Sequence, residues 1–263
     1  MNTWIGFLIN LQFFTVFPIK KQLPMDKKFI HRAVQTFPLV GVFLGLILAG
    51  VLYGLGEWTP FSSLAIAFVL WVLTIALTGG LHLDGWIDAS DAFFSYQDKE
   101  RRLEIMKDSR TGAFGVISVI VLLAARFIWI YEIVERTNEW TYFLIIMIPF
   151  FSKCVMGYLL SRMHLAKKEG LGAFFQSAVR KNSLHIYWIY LILSFVVAYF
   201  IDIKLVILFA IMGFAALLFL FYVRRKILRW FGGITGDVLG ASVEGVEVWL
   251  WLILWLLHYF AMG

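Results

Sequence analysis

Residues 61–94 read FSSLAIAFVLWVLTIALTGGLHLDGWIDASDAFF, an apolar run that reaches two glycines and is followed by three aspartates. The run 61–78 holds no charged residue. Eighteen residues of α-helix extend about 27 Å, close to the ~30 Å hydrocarbon core of a bilayer. The stretch therefore predicts a transmembrane helix that leads into an acidic segment at the membrane boundary.

The composition extends this interpretation to the whole chain of 263 residues. Hydrophobic residues make up 61% and charged residues 15%, against about 45–50% and roughly 25% in soluble domains. A soluble globule and a disordered chain are therefore excluded. A disulfide scaffold and a cysteine-based metal site are excluded as well, because Cys154 is the single cysteine.

Seven apolar runs have the length that a membrane-spanning helix needs. They cover residues 37–55, 61–78, 113–131, 140–160, 184–201, 205–223 and 246–262. The N-terminal apolar stretch ends at Pro18 after about sixteen residues and predicts an interfacial or re-entrant helix. It lacks the basic region and cleavage site of a signal peptide. We expect an all-α polytopic membrane protein, with about seven transmembrane helices and further loop helices, forming one integral domain over residues 1–263.

Lysine and arginine are distributed very unequally between the two sides of this topology. Nineteen of them lie before the first span or in the loops 79–112, 161–183 and 224–245, and the other three loops hold two, Arg136 and Lys204. By the positive-inside rule the first set is cytoplasmic. The same rule accounts for the net charge of +6, so no nucleic-acid partner is needed.

Two cations fall inside predicted spans, Arg126 and Lys153. One interpretation is snorkelling or pairing between helices, and the other is contact with an anionic ligand.

The acidic segment is the strongest indication of chemistry. Asp84, Asp88 and Asp91 are spaced i, i+4 and i+7, which places three carboxylates along one helix face. Their repulsion would be offset by a divalent cation such as Mg²⁺, which takes carboxylate and phosphate oxygens. The alternative is a solvated amphipathic helix, but the residues between these aspartates are mostly apolar.

Further along the same loop, acids and bases alternate. Glu104 and Asp108 are spaced i, i+4 and are flanked by Lys107 and Arg110, a combination that suits a metal–phosphate site. The backbone amides of residues 109–112 precede a span and are expected to cap an anion.

A second cluster, FGGITGDVLGASVEGVEV, covers residues 231–248. Gly232 and Gly233 allow close backbone approach. Asp237, Glu244 and Glu247 lie within about 80° of one another on a helical wheel. Carboxylates at the start of a span are functional candidates, although a glycine-packed helix with an acidic end is the alternative. The first cluster has a comparable candidate in His82, either a ligand or phosphate contact or a structural residue.

These motifs together resemble one family, the cobalamin synthases, which are adenosylcobinamide-GDP ribazoletransferases. The resemblance rests on GGLHLDGWIDASDAFF, LEIMKDSRTGAFG and GGITGDVLGASVEGVE, and it extends to LQFFTVFPIK and FPLVGVFLG near the start. It implies a Mg²⁺-dependent, multi-pass transferase of the cell membrane in cobalamin biosynthesis. In that reaction α-ribazole or its 5′-phosphate attacks adenosylcobinamide-GDP, GMP leaves, and adenosylcobalamin or its 5′-phosphate forms.

The resemblance also suggests roles for individual residues. We expect the metal ligands to be Asp84, Asp88, Asp91, Asp237 and Glu244. Asp88 or Asp91 is the expected general base. The expected substrate-binding residues are His82, Glu104, Lys107, Asp108, Arg110, Gly232, Gly233 and Glu247.

Two other functions fit parts of the sequence. A CDP-alcohol-phosphotransferase-like lipid synthase would also use several aspartates, but the Ala-Arg that should follow Asp84-Gly85 is absent. A secondary transporter would place its acids at the membrane midplane rather than at the cytoplasmic end. The expected partners are the two small-molecule substrates and the lipid bilayer, and a homo-oligomer is left open.

Overall fold

The chain forms an all-helical bundle in the computed structural model, which describes residues 2–180 and 182–262. Lys181, one of the loop cations counted above, lies outside this range. The described residues hold an isolated β-bridge between Leu165 and Ile234 and no strand. Their helices are α1 Asn2–Phe14, α2 Lys27–Trp58, α3 Ser63–Ala76, α4 Leu81–Phe94, α5 Lys99–Ile105, α6 Ala113–Glu135, α7 Glu139–Arg162, α8 Leu171–Gln176, α9 His185–Ile201, α10 Ile203–Phe231 and α11 Gly236–Phe260.

Among the helices of residues 2–180 and 182–262, five are long and apolar enough to cross a membrane, namely α2, α6, α7, α10 and α11. The predicted class of all-α polytopic membrane protein is therefore confirmed. The runs 61–78 and 184–201 form the shorter helices α3 and α9. The total of seven spans stays a prediction, because α3 and α9 fall short of the length of the other five.

The run 61–78 ends early for a local reason. Gly79 and Gly80 have φ angles of 63° and 76°, a left-handed conformation that glycine adopts without strain. They break the helix, and α4 leaves at 78° to α3. The acidic helix is thus set across the end of the span instead of continuing it.

The most enclosed helix is α7, and α2 packs closely along it. Of the apolar stretch of α7, 78% is buried, against 22% for α6. A Cβ atom on Gly45 would lie 2.6 Å from Cα of Ile146, and Gly41 sits as closely against Pro149. Small residues four apart are a common way for membrane helices to approach each other.

The short helix α1 packs against the start of α2. Asn10 is fully buried and donates from Nδ2 to the Ala33 carbonyl at 2.7 Å and to Thr36 Oγ1 at 3.0 Å. Helix α1 has thirteen residues, too few to span a bilayer, as the sequence indicated.

The two ends of the bundle collect different loops. At one end the segment after α7 binds the α10–α11 connection, with Ala166 N donating to Ile234 O at 2.9 Å. Arg102 of α5 donates to Trp230 O at 3.3 Å at the same end. At the other end, Trp140 Nε1 donates to Asp202 at 3.2 Å. The loops 79–112, 161–183 and 224–245 therefore share one end, as the charge distribution predicts.

Candidate active site

A cavity of about 380 Å³ opens at the end where these three loops meet. Its charged side chains come from four segments that are far apart in sequence. We call them the charged rim: Asp84, Lys107, Lys167, Glu169 and Asp237. Asp84 and Asp237, one from each acidic cluster, thus line the same cavity.

Close packing of α4 on α11 brings the two clusters together. A Cβ atom on Gly85 would lie 2.6 Å from the Asp237 carbonyl oxygen, and one on Gly240 would lie 3.3 Å from Cα of His82. Both glycines therefore set how near the helices come. Asp237 lies in the first turn of α11, where the helix dipole favours a negative charge.

Two aspartates of α4 are left without partners. Across residues 2–180 and 182–262, the side chains of Asp84 and Asp88 accept no hydrogen bond and form no ion pair. Asp237 accepts a single long hydrogen bond from Thr235 Oγ1, at 3.5 Å. Carboxylates with free lone pairs around a cavity are available to bind a cation or a hydroxyl group.

Lys167 is the cation placed among these acids. Burial lowers its pKa, the Asp237 carboxylate raises it, Lys107 lowers it and Asp88 raises it, with a net pKa below that of an ordinary lysine. Asp237 is therefore the charged neighbour that affects Lys167 most, and Asp88 is also near. Two ammonium groups in the lining of one cavity, those of Lys107 and Lys167, suit a polyanionic ligand.

Asp91 has another use. Its Oδ2 accepts from Gly112 N at 2.8 Å and its Oδ1 from Gly115 N at 2.7 Å. It therefore caps α6, and it is the anion that the amides preceding that span bind. Because both oxygens are occupied, we do not include Asp91 among the metal ligands or bases that the sequence suggested.

Glu244 and Glu247 lie deeper along α11 and do not line the cavity. Glu244 forms a buried ion pair with Arg126 of α6. Glu247 accepts from Ser152 Oγ at 2.7 Å. Each therefore links α11 to a neighbouring helix, and for Arg126 the interpretation as pairing between helices agrees with the structure.

His82 lines the cavity and is hydrogen-bonded to Lys153 of α7. The ammonium group donates to His82 Nε2 at 2.9 Å, and both side chains are buried. Because an ammonium can only donate, Nε2 is the acceptor and the neutral ring carries its proton on Nδ1. Lys153 thus fixes both the orientation and the tautomer of His82.

The predicted acid–base segment 104–110 contributes two residues to the cavity lining, Met106 and Lys107, and only Lys107 was among the predicted site residues. Glu104 pairs with Arg101 at 2.6 Å on the surface. Asp108 pairs with Arg110 at 2.6 Å, and hydrogen bonds from Arg110 lower the pKa of Asp108 to about 2. Three predicted substrate-binding residues therefore lie outside the lining of the cavity, namely Glu104, Asp108 and Arg110.

Gly232 and Gly233 support the site from outside its lining. Gly232 ends α10 with a φ angle of 72° and accepts a hydrogen bond from His164. A Cβ atom on Gly233 would lie 2.7 Å from the His164 carbonyl oxygen. These glycines let the α10–α11 turn lie against the segment that carries Lys167.

The donors around the cavity suit Mg²⁺ better than a softer metal. They are carboxylate oxygens, and Mg²⁺ is often held by one or two carboxylates together with substrate phosphates. Within the described residues no three His, Cys, Asp or Glu side chains converge into a protein-only cage. The arrangement therefore fits an ion shared with a phosphate ligand, with Asp84 and Asp237 in the cavity lining as the available carboxylates. Asp88 is not part of the lining, but its carboxylate is a charged neighbour of Lys167.

Several residues of the cavity have no sequence motif. Lys167 was only one of many loop cations, and Glu169 was not singled out. The apolar lining includes Phe14, Phe37 and Phe175, from α1, α2 and α8. Nothing in their local sequence distinguishes them from other apolar residues of a membrane protein.

Comparisons with known proteins agree with the resemblance seen in the sequence. A family model described as cobalamin-5-phosphate synthase matches residues 6–255. An adenosylcobinamide-GDP ribazoletransferase of Geobacillus sp. is 40% identical over 98% of this chain and 98% of its own. Those of Geobacillus thermodenitrificans and Clostridium tetani are 40% and 37% identical, and each alignment covers at least 97% of both chains. No solved structure matches the chain.

Proposed function

Because the chain belongs to the cobalamin-5-phosphate synthase family, we propose that it is an adenosylcobinamide-GDP ribazoletransferase whose active site is the charged cavity. One observation carries the location. Asp84, Lys107, Lys167 and Asp237 come from distant parts of the chain and line a single cavity. The membership disfavours a CDP-alcohol-type lipid synthase and a transporter.

The reaction is a displacement at phosphorus. A ribose hydroxyl of α-ribazole, or of its 5′-phosphate, attacks the phosphorus next to cobinamide. The new P–O bond forms, the P–O bond to the GMP moiety breaks, and GMP leaves with the bridging oxygen. The hydroxyl proton passes to a base, so the products are a phosphodiester and GMP.

The charged rim suits this chemistry in two ways. Lys167 and Lys107 supply positive charge for the pyrophosphate, whose transition state spreads negative charge over several oxygens. Asp88 is the preferred base, because its carboxylate is free and belongs to the face of α4 that carries Asp84. The hydrogen bond from Lys153 holds His82 in place at the cavity.

We propose Mg²⁺ as the cofactor, held by Asp84 and Asp237 with Asp88 beside them. Bound there, the ion would neutralise charge on the phosphates as they react. These oxygen donors and the two lysines are complementary, since acids hold the ion and ammonium groups hold the remaining phosphate oxygens.

The cavity is proposed to face the cytoplasm. The end of the bundle that carries it also carries nearly all loop lysines and arginines, which supports a cytoplasmic orientation in the cell membrane. A single cysteine introduced at exposed Gln97, in the C154S background, tests this in sealed cells. An impermeant reagent should label it only after lysis, and labelling in intact cells would reverse the orientation.

The activity itself is tested on purified protein in detergent. Adenosylcobinamide-GDP and α-ribazole should yield GMP and adenosylcobalamin in equal amounts, with no turnover in EDTA. Asp84→Asn and Asp237→Asn should each lower kcat by at least about 100-fold, since each removes a hard anionic ligand while keeping the shape. Glu104→Gln, an exposed acid outside the cavity, is the matched control and should keep wild-type activity.

Two outcomes would contradict the proposal at different levels. Absence of GMP release from folded protein with both substrates and Mg²⁺ would reject the activity. Full activity of Asp84→Asn at limiting Mg²⁺ would leave the activity standing and reject the site.

A further inference from the structure

Away from the charged rim, the lining of the cavity is mostly apolar. We call this apolar part the aromatic lobe. Its residues come from α1, α2, α7, α8 and α11, and they are Phe14, Phe37, Met156, Leu160, Phe175 and Leu239. A ligand that fills the cavity must therefore combine an apolar portion with a polar, phosphate-seeking portion.

The three rings of the lobe hold one another in place. Phe14 meets Phe37 edge to face at 5.5 Å between ring centroids and Phe175 at 5.2 Å. Phe37 and Phe175 are 5.8 Å apart. The His82 ring lies parallel to Phe14, with 6.2 Å between centroids and 17° between planes. Phe14, Phe37 and Phe175 are 8%, 2% and 1% exposed, so the lobe is a packed aromatic cluster whose accessible ring surface belongs mainly to Phe14.

The size of the cavity selects between the two reactants. At about 380 Å³ it lies near the lower end of the range for pockets that hold small organic ligands. A nucleoside with a bicyclic base has that size. Adenosylcobinamide-GDP carries a corrin macrocycle, an adenosyl group and GDP, and is several times larger.

We propose that the aromatic lobe binds the benzimidazole base of α-ribazole, while the corrin ring of the second substrate stays outside the cavity and only its pyrophosphate reaches the charged rim. This assignment rests on the proposed function. It directs the ribose of α-ribazole toward Asp84 and Asp237, since the base occupies the apolar side and the hydroxyls the polar side.

His82 supplies a specific contact for such a base. It is 3% exposed, its Nε2 is taken by Lys153, and its Nδ1–H has no acceptor among the described residues. A benzimidazole nucleoside keeps one unsubstituted ring nitrogen with a free lone pair. The Nδ1–H of His82 is therefore matched to that nitrogen, and the hydrogen bond between them would favour binding.

The test compares two neighbouring phenylalanines of α8, of which Phe175 lines the cavity and Phe174 does not. Phe175→Leu removes the ring that supports Phe14 and Phe37, and it should raise the KM for α-ribazole about three- to tenfold, the worth of one aromatic contact, and leave the KM for adenosylcobinamide-GDP unchanged. Phe174→Leu should behave as the wild type. Leu171→Trp adds bulk to a partly exposed residue of the lining. It should also weaken the binding of α-ribazole and leave the binding of adenosylcobinamide-GDP unchanged.

Calorimetric titration of α-ribazole into each folded protein gives a second measurement that needs no turnover. Weaker binding in Phe175→Leu and Leu171→Trp supports the assignment even if a variant is inactive. An effect confined to adenosylcobinamide-GDP, or equal for both substrates, would overturn it. Wild-type protein that binds α-ribazole but releases no GMP would instead count against the proposed activity.

Discussion

Replacing Asp91 tests whether this residue caps helix α6 or binds a metal ion. In the structure its two oxygens accept backbone hydrogen bonds of 2.8 Å and 2.7 Å from Gly112 and Gly115, at the start of α6. Hydrogen bonds to a charged group contribute about 1.5–3 kcal/mol each. Asp91 is only partly buried, so the lower value applies, and Asp91→Ala should lose about 3 kcal/mol of unfolding free energy.

Asp91→Asn is the sharper variant. Its side chain keeps one acceptor oxygen and turns an amide N–H₂ toward the second backbone N–H, so one hydrogen bond is lost and the negative charge at the helix start disappears. We expect a loss of about 1–2 kcal/mol. For a protein of this length that lowers Tm by roughly 2–8 °C.

The assay measures Tm in detergent and the half-saturating Mg²⁺ concentration of the surviving activity. Asp91→Asn should lower Tm and leave the Mg²⁺ requirement unchanged at a temperature where the protein is folded. Asp88→Asn on the same helix is the control and should do the reverse: lose activity at wild-type Tm. An Asp91→Asn protein with unchanged Tm and a raised Mg²⁺ requirement would refute the capping role.

Three further predictions test the packing and charge around the cavity. Gly85→Ala should cost most of the activity, because its Cβ would lie 2.6 Å from a backbone oxygen of α11, whereas Gly50→Ala, with open space around it, should remain active; equal activities would show that α4 does not need this approach. Lys167→Arg should move the alkaline limb of kcat/KM to higher pH, since the pKa of Lys167 is below that of an ordinary lysine and its charge is lost as pH rises through that pKa, and an unmoved limb would exclude it as the titrating group. Glu244→Gln should destabilise the protein by about 3–5 kcal/mol by leaving Arg126 buried and unpaired, and adding Arg126→Met should restore much of the loss in Tm; a double variant less stable than Glu244→Gln would contradict this.

Much of the architecture was accessible from the sequence because membrane helices follow simple rules. The apolar runs predicted the helices, and the loop charges predicted which loops share an end. The pairing of the two acidic clusters also followed, since Asp84 and Asp237 were both expected at that end. The runs ended the span at residue 78, but they could not give the 78° bend at Gly79 and Gly80, because two glycines are tolerated within many membrane helices and the packing of α4 selects the bend.

The ligand sets were less accessible, and the reason is geometric. A helical wheel compares angles and ignores the rise along the axis. Glu244 shares a face with Asp237, but seven residues separate them, about 10 Å of helix, and at that depth the partner is Arg126. Asp91 is as far from Asp84 along α4, where it meets the start of α6 instead of the cavity. The spacing of the carboxylates therefore identified the correct face of each helix. It overestimated how many residues of that face belong to one site.

Two pairs of buried polar groups connect the helices beneath the cavity. Arg126 with Glu244 joins α6 to α11, and Lys153 with His82 joins α7 to α4. Each pair is costly to break in an apolar surrounding, because separation would leave an unpaired charge or donor there. The pairs thus fix α4 and α11, the helices that carry Asp84 and Asp237, against the rest of the bundle. Free carboxylates that repel one another can be held close only on such a rigid support, and that is the arrangement a cation-binding phosphate site requires.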